Sequence, residues 1–182
     1  MKSARSVTPV NAAVGAANRL FAIPFFVGQN SQLKTLSFDI GTGNALAWNA
    51  RMCVYADNGS GLPGSLVPNG DTDTVAIAAG SVTGVQTANV NSTSGVLLAG
   101  PALYWVTFMA DNAGESLFSF NTATGYFLTQ TYLGATEVAS LFTGAQTTGV
   151  YMSQTFGACP STFSSSPTYS LNSPTPYLVL GF

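Results

Sequence analysis

The stretch MCVYADNGSGLPGSLV, residues 52–67, determines the fold class because it joins an apolar run to a dense group of turn formers. Residues 52–55 are aromatic, β-branched or otherwise apolar, which is typical of a β-strand. The turn formers follow at once, and several of them tolerate a positive φ: Asp57, Asn58, Gly59, Gly61 and Gly64. We interpret residues 57–64 as a loop that reverses the chain between strands of different sheets.

The same succession of short strands and turns extends in both directions from this loop. Gly and Pro clusters separate apolar or alternating segments at intervals of about 8–12 residues, a pattern typical of a sandwich or barrel. The predicted strands cover residues 20–27, 36–40, 44–56, 65–67, 74–79, 82–90, 95–98, 103–110, 117–120, 126–131, 149–155 and 177–180. The large alternating aromatics Trp48 and Trp105 are expected to fill the core between two sheets.

The beginning of the chain differs from the rest. Residues 1–19 show little periodicity, and we interpret them as an extended N-terminal arm, with a short helix at residues 12–19 as the alternative. The first 38 residues carry four of the five basic side chains and none of the seven acidic ones. This asymmetry favours an arm that docks on something acidic, and a solvated terminus is the alternative. Residues 20–182 are predicted to form one domain.

Composition limits the classes of function. Only 7% of the 182 residues are charged, against about 25% in ordinary soluble domains. A surface that is poor in charge is typical of proteins that pack against other subunits, because charges are depleted at interface cores. The low positive charge argues against nucleic-acid binding. The longest apolar run, residues 21–27, is too short for a membrane helix. No signal-peptide pattern follows the charged start, so we expect synthesis in a cytoplasm.

The sequence offers little for catalysis or metal binding. It contains no His, which removes the commonest general base and the commonest metal ligand. Carboxylate pairs for hydrolysis would be Asp71 with Asp73, or Asp111 with Glu115 or Glu137, and we interpret these as solvated turn acids. A calcium site would use Asp57, Asn58, Asp71 and Asp73, although such residues favour turns for local reasons. We therefore assign no catalytic residue, cofactor or metal ligand.

Two further sets of residues have open interpretations. Cys53 and Cys159 are 106 positions apart and match no metal or redox motif. We favour two buried thiols, and a disulfide is the alternative. Glycan binding would use exposed aromatics in or near loops, and the candidates are Tyr126, Tyr132, Tyr151, Phe156 and Tyr169. Core or interface positions are the alternative for each of them.

The central stretch also resembles a known family. The pattern "Tyr-x-Asp-Asn-Gly-x-x-x-Pro-Gly-x-Leu" of residues 55–66, followed by "Leu-x-x-Gly-x-x-x-Tyr-Trp" at residues 97–105, is similar to jelly-roll domains of tailed-bacteriophage virion proteins. Such domains occur in head decoration or cement proteins and in tail fibres. The resemblance covers residues 20–110, residues 111–175 match in style only, and residues 177–182 resemble the closing strand. It implies an antiparallel jelly-roll β-sandwich.

The resemblance also implies a location and partners. The chain has a short arm and no fibre shaft, which favours a protein placed directly on the capsid. We therefore expect a non-catalytic decoration or cement protein in the virion, bound to the major capsid protein or another virion protein. A homo-oligomer is expected, a trimer in preference to a dimer. The alternative is a short tail fibre or receptor-binding adhesin that recognises a host-surface glycan.

Overall fold

The protein is an antiparallel all-β sandwich, as the sequence predicts. The computed structural model describes residues 10–13, 17–113, 116–120, 147–171, 175–176 and 178–182, and these contain strands and no helix. The strands are β1 Val10–Ala13, β2 Arg19–Val27, β3 Ser31–Leu33, β4 Thr35–Thr42, β5 Trp48–Asp57, β6 Pro63–Asp71, β7 Val75–Ile77, β8 Gly84–Asn89, β9 Val96–Leu98, β10 Ala102–Ala110, β11 Ser116–Phe120, β12 Thr147–Ser153, β13 Thr168–Leu171, β14 Thr175–Pro176 and β15 Leu178–Gly181.

The described strands form two large sheets. In the front sheet, β11 pairs with β1 and β4, β4 also pairs with β8 and β15, and the short β14 pairs with β11. In the back sheet the order is β13-β12-β2-β10-β5-β6, and β7 pairs with β5. The strands β3 and β9 form a small separate ladder, and Leu33, Val96 and Leu98 in it belong to the main core. All of these pairings are antiparallel.

The main core lies between the two sheets. Every second residue of β4 points inward, so Leu36, Phe38 and Ile40 meet the inward-facing side chains of β5 and β10. The Phe38 ring centroid lies 5.2 Å from that of Phe108 and 5.9 Å from that of Trp48. These alternating positions match the period of two that the sequence shows in residues 36–40.

The N-terminal region differs from the prediction. Residues 10–13, which we had assigned to the arm, form β1 and pair with β11. Residues 12, 13 and 19 lie in strands, so a helix over 12–19 is wrong at these positions. Hydrogen bonds across a sheet satisfy the backbone there, which outweighs the helix propensity of alanine. Residues 1–9 and 14–16 lie outside the described residues, as does the predicted strand at 126–131.

The loop at residues 57–64 joins neighbouring strands of one sheet, so the expectation that it crosses between sheets was wrong. Asp57 pairs with Pro63, and β5 and β6 form a hairpin. Gly59 and Gly61 have φ values of 86° and 74°. Gly64 is favoured for a different reason, since a Cβ there would lie only 3.1 Å from the Asn58 Cα. The strand predicted at 44–56 begins later, at Trp48, and Leu46 before it is exposed.

The two tryptophans occupy different places. Trp48 lies in the core between the sheets, as expected. Trp105 was expected there too, but it points to the other side of the back sheet and packs in a second cluster. Its neighbour Tyr104 faces the inter-sheet core, because successive strand residues point to opposite faces.

Candidate functional site

A second hydrophobic cluster covers the outer face of the back sheet. Its strand residues are Leu20, Ala22, Cys53, Tyr55, Trp105, Met109 and Val150, and Cys159 and Phe163 contact them from an irregular segment. We call this set the outer cluster and residues 154–167 the covering segment. Because their side chains are buried on both faces, β5 and β10 lie in the middle layer of a three-layered structure.

Backbone hydrogen bonds attach the covering segment to the hairpin of β5 and β6. The Leu66 N–H donates to the Ser161 carbonyl at 2.9 Å, and the Phe163 N–H donates to the Gly64 carbonyl at 2.8 Å. The Phe163 ring meets the Tyr55 ring edge-on at a centroid distance of 5.6 Å. The segment is thus held by directed contacts as well as by apolar burial.

Cys53 and Cys159 form a disulfide between β5 and the covering segment, so our preference for two buried thiols was wrong. The Cα atoms are 6.6 Å apart, within the range of natural disulfides. The sequence could not reveal the pairing, because it depends on the covering segment folding back over a strand that lies 106 positions earlier.

Tyr55 provides a polar contact inside the outer cluster. Its hydroxyl donates to the Pro160 carbonyl at 2.7 Å, next to Cys159 in the chain. Burial, and secondarily the nearby Asp71 carboxylate, raise the pKa of Tyr55 above its ordinary value of 10.0, because both disfavour the phenolate. The hydroxyl therefore stays protonated and donates under all ordinary conditions.

The loop of the hairpin is held by its own first two side chains. Asp57 Oδ1 accepts from the backbone N–H groups of Gly59 at 2.8 Å and Gly61 at 3.3 Å. Asn58 Oδ1 accepts from the Ser60 N–H at 2.8 Å. These are Asx turns, the local role that Asp and Asn commonly have in loops.

Asp57 also joins this loop to the outer cluster. The Trp105 indole Nε1–H donates to Asp57 Oδ2 at 3.1 Å, so both carboxylate oxygens of Asp57 accept N–H groups. Asp57 and Asn58, proposed as calcium ligands, therefore have local structural roles. In the described part of the chain, no three His, Cys, Asp or Glu side chains come together as metal ligands would.

The remaining candidate carboxylates are spread over the molecule. Asp111 binds Asn49, accepting from its backbone N–H at 2.8 Å and its side-chain amide at 2.7 Å. Asp73 is largely exposed and lies 3.9 Å from the Arg51 guanidinium. Asp71 pairs with Cys53 across the β5–β6 ladder. Glu115 and Glu137, the suggested partners of Asp111, lie outside the described residues.

The candidate glycan-binding aromatics do not form one surface where they are described. Tyr169 is exposed and lies opposite Val150, on the side of the outer cluster. Tyr151 follows Val150 and so points to the other side, where the Arg19 guanidinium lies 4.6 Å from its ring centroid. Phe156 packs against the outer cluster. Tyr126 and Tyr132 lie outside the described residues.

A polar groove that the sequence did not indicate lies between the end of β8 and the segment before β7. Its volume is about 640 Å³. Hydroxyl, amide and charged groups line it, with valine and alanine side chains between them. The polar lining includes Lys34, Asp73, Thr74, Asn89, Asn91 and Thr93.

The outer face of the front sheet contrasts with that of the back sheet. Val85 on β8 is 62% exposed and Val179 on β15 is 42% exposed, with β4 between these strands. Ser37 and Thr87 share a hydrogen bond of 2.8 Å across the same face. In β4, β8 and β15 the one charged residue is Asp39. We call this surface the open face.

No protein-family model matches the chain, and a search of curated proteins finds no match. None of the described residues belongs to a helix that is long and apolar enough to span a membrane.

Proposed function

We propose that the sandwich is a jelly roll. The strand order supports this topology: β1-β11-β4-β8 in the front sheet and β2-β10-β5-β6 in the back sheet. Along the chain these eight strands change sheet at each step except between β5 and β6, as in two Greek keys, the arrangement seen in viral capsid and lectin domains. In this interpretation β12, β13, β14 and β15 are additions after the eighth strand.

We propose that the protein is a non-catalytic structural component of a tailed-bacteriophage virion that decorates and stabilises the capsid shell. The observation that carries this proposal is the open face. It is nearly free of charge and exposes Val85 and Val179. Burying such a face against another subunit requires little desolvation of charge, and apolar area contributes favourably. Contacts with the major capsid protein or another virion protein, and between copies of this chain, would use it.

The position of β1 supports a role for the residues that precede it. β1 pairs with β11 in the front sheet, so the chain enters the sandwich at that sheet. Lys2 and Arg5 come before β1 in the sequence, and no acidic residue precedes Asp39. We propose that this basic segment binds an acidic surface of the neighbouring subunit.

Truncation tests the capsid role directly. Deletion of residues 2–9 leaves β1 in place and should preserve the fold, while abolishing stoichiometric binding to mature particles that lack the protein. A Lys2→Gln/Arg5→Gln variant removes the positive charges without shortening the segment. It should weaken binding to particles more at low salt than at high salt. Full occupancy of particles by the truncated protein would contradict the proposal.

The polar groove supports a second candidate function, a receptor-binding adhesin. A groove of about 640 Å³ falls in the size range of small-ligand sites, and its mixed hydroxyl and amide lining suits the hydroxyl groups of a glycan. The adhesin proposal predicts a signal on a glycan array. That signal should fall in Thr93→Ala and persist in the matched control Thr83→Ala, whose side chain is exposed outside the groove. An array without any signal would count against this candidate.

A further inference from the structure

The disulfide is placed so that it controls how firmly the covering segment is held. Cys159 lies in the covering segment and Cys53 in β5. The residues directly after Cys159 are bound to the hairpin through the Pro160 and Ser161 carbonyls. These contacts do not involve sulfur, so they can position the two thiols before any bond forms.

The two cysteine residues differ in their exposure to solvent. Cys53 is 0% exposed and Cys159 is 9% exposed. A dissolved oxidant can therefore reach Cys159 first, while Cys53 is shielded by the covering segment and by the strands beside β5. The reactive form of a cysteine is the thiolate, and access to an oxidant is one of the factors that determine which thiol reacts.

We propose that Cys53 and Cys159 form a redox-dependent fastening. The chain folds with both thiols reduced, and oxidation then fixes the covering segment over Trp105 and Tyr55. The first step is attack of the Cys159 thiolate on a small disulfide such as oxidised glutathione. It forms a mixed disulfide at Cys159 and releases one glutathione thiolate, which takes up the thiol proton.

The second step closes the protein disulfide. The Cys53 thiolate attacks the Cys159 sulfur of the mixed disulfide, and the second glutathione leaves as a thiolate that takes up the second proton. Two protein thiols are oxidised and one glutathione disulfide is reduced to two thiols. In a reducing cytoplasm the covering segment is held by its noncovalent contacts alone, and it is locked after the protein reaches an oxidising medium. The fastening itself does not depend on the proposed function.

Proteolysis of the intact chain tests the fastening without any mutation. The protein is prepared in its reduced form and, after treatment with oxidised glutathione, in its disulfide form. Chymotrypsin cleavage after Phe163 is followed by mass spectrometry. Because Phe163 is buried in the outer cluster, cleavage requires opening, and we expect it to be at least about tenfold faster in the reduced form. Equal cleavage rates, or two thiols that stay open to alkylation after the oxidant, would overturn the proposal.

Two matched variants test the order of attack. In Cys53→Ala, Cys159 should accumulate a stable mixed disulfide with glutathione under native conditions. In Cys159→Ala, Cys53 should remain unmodified until denaturant is added. Equal modification of the two variants, or modification of Cys53 alone, would overturn the assignment of Cys159 as the first thiol to react. The unmutated chain supplies the proteolysis result if either variant fails to fold.

Discussion

The two outer faces of the sandwich differ in whether their side chains are buried. On the back sheet, β5 and β10 carry large apolar side chains on both faces, and the covering segment buries the outer ones. On the front sheet, β4 places large apolar residues inward, whereas the outward side of β4 and β8 carries mostly polar residues together with the exposed Val85. Within the described residues, the chain itself covers the outer side of the back sheet, whereas no segment covers the outer side of the front sheet.

The turn-rich hairpin and the open face also differ in the internal contacts that they make. The β5–β6 hairpin binds the covering segment through Gly64 and Leu66, and its loop binds Trp105 through Asp57. These contacts are internal and structural. The exposed valines of the open face make no comparable internal contribution, so substitutions there should separate assembly from stability.

The largest expected effect concerns the covered face. Trp105→Ala should lower the free energy of unfolding by about 3–5 kcal/mol, because it removes a fully buried side chain and leaves a cavity. Phe108→Ala, on the opposite face of β10, should cost a similar amount. Val179→Thr on the open face should change stability by no more than about 0.5 kcal/mol. Urea denaturation of the three variants checks this ranking. A cost below about 1 kcal/mol for Trp105→Ala would contradict the burial of Trp105 in the outer cluster.

A smaller effect is expected where the loop meets that cluster. Asp57→Ala should cost about 1–3 kcal/mol, since it leaves the Trp105 indole N–H and two loop N–H groups without their acceptor. Asp57→Asn keeps one acceptor oxygen and should cost less. Urea denaturation measures both, and Asp73→Ala is the control, because this carboxylate is largely exposed. If Asp57→Ala and Asp73→Ala cost the same, the contact with Trp105 contributes nothing to stability.

Much of the sandwich could be predicted because its signals are local. The alternation at residues 36–40 and the turn residues at 57–64 specify strands and a loop through short-range sterics and burial. The apolar run at 103–110 also indicated a strand, but its continuity contained a further signal that we did not use. A strand with apolar residues on both faces must be covered on both, and this excludes a simple two-layered position for Trp105.

The rest depends on contacts between distant parts of the chain. Nothing near Cys159 indicates that residues 154–167 lie against β5, because that position follows from hydrogen bonds to Gly64 and Leu66 far earlier in the sequence. The polar groove likewise forms where β8 and the segment before β7 approach each other. The strand β1 was missed because a short run of Ala, Asn and Val gains its stability from pairing with β11, and not from its own composition.

The next effect is modest and depends on pH. Tyr55→Phe should cost about 0.5–1.5 kcal/mol near neutral pH through loss of the hydrogen bond to Pro160. Since the pKa of Tyr55 is raised in the folded state, Tyr55 makes its full contribution to the free energy of unfolding at pH values below the ordinary tyrosine pKa. This contribution is lost as the pH rises above that pKa, because Tyr55 then ionises first in the unfolded chain. Unfolding free energies measured between about pH 8 and 11 should therefore fall more in the wild type than in Tyr55→Phe. Tyr169→Phe, at an exposed position, should keep the wild-type pH dependence, and a common slope for all three proteins would contradict the shift.

A small effect on stability should accompany the largest effect on assembly. Val85 lies directly opposite Asp39 in the β4–β8 ladder, so Val85→Lys places opposite charges side by side and should change the free energy of unfolding by no more than about 1 kcal/mol, in the stabilising direction. The same ammonium group must lose its water if the open face is buried, which opposes association. Sedimentation velocity should show the proposed homo-oligomer for the wild type and its loss in the variant, while urea denaturation shows an intact fold. Leu97→Lys removes another exposed apolar side chain, on β9, which is not part of the front sheet, and should assemble normally. If Val85→Lys assembles like the wild type, the copies meet through another surface, and the contrast between the two outer faces concerns folding alone.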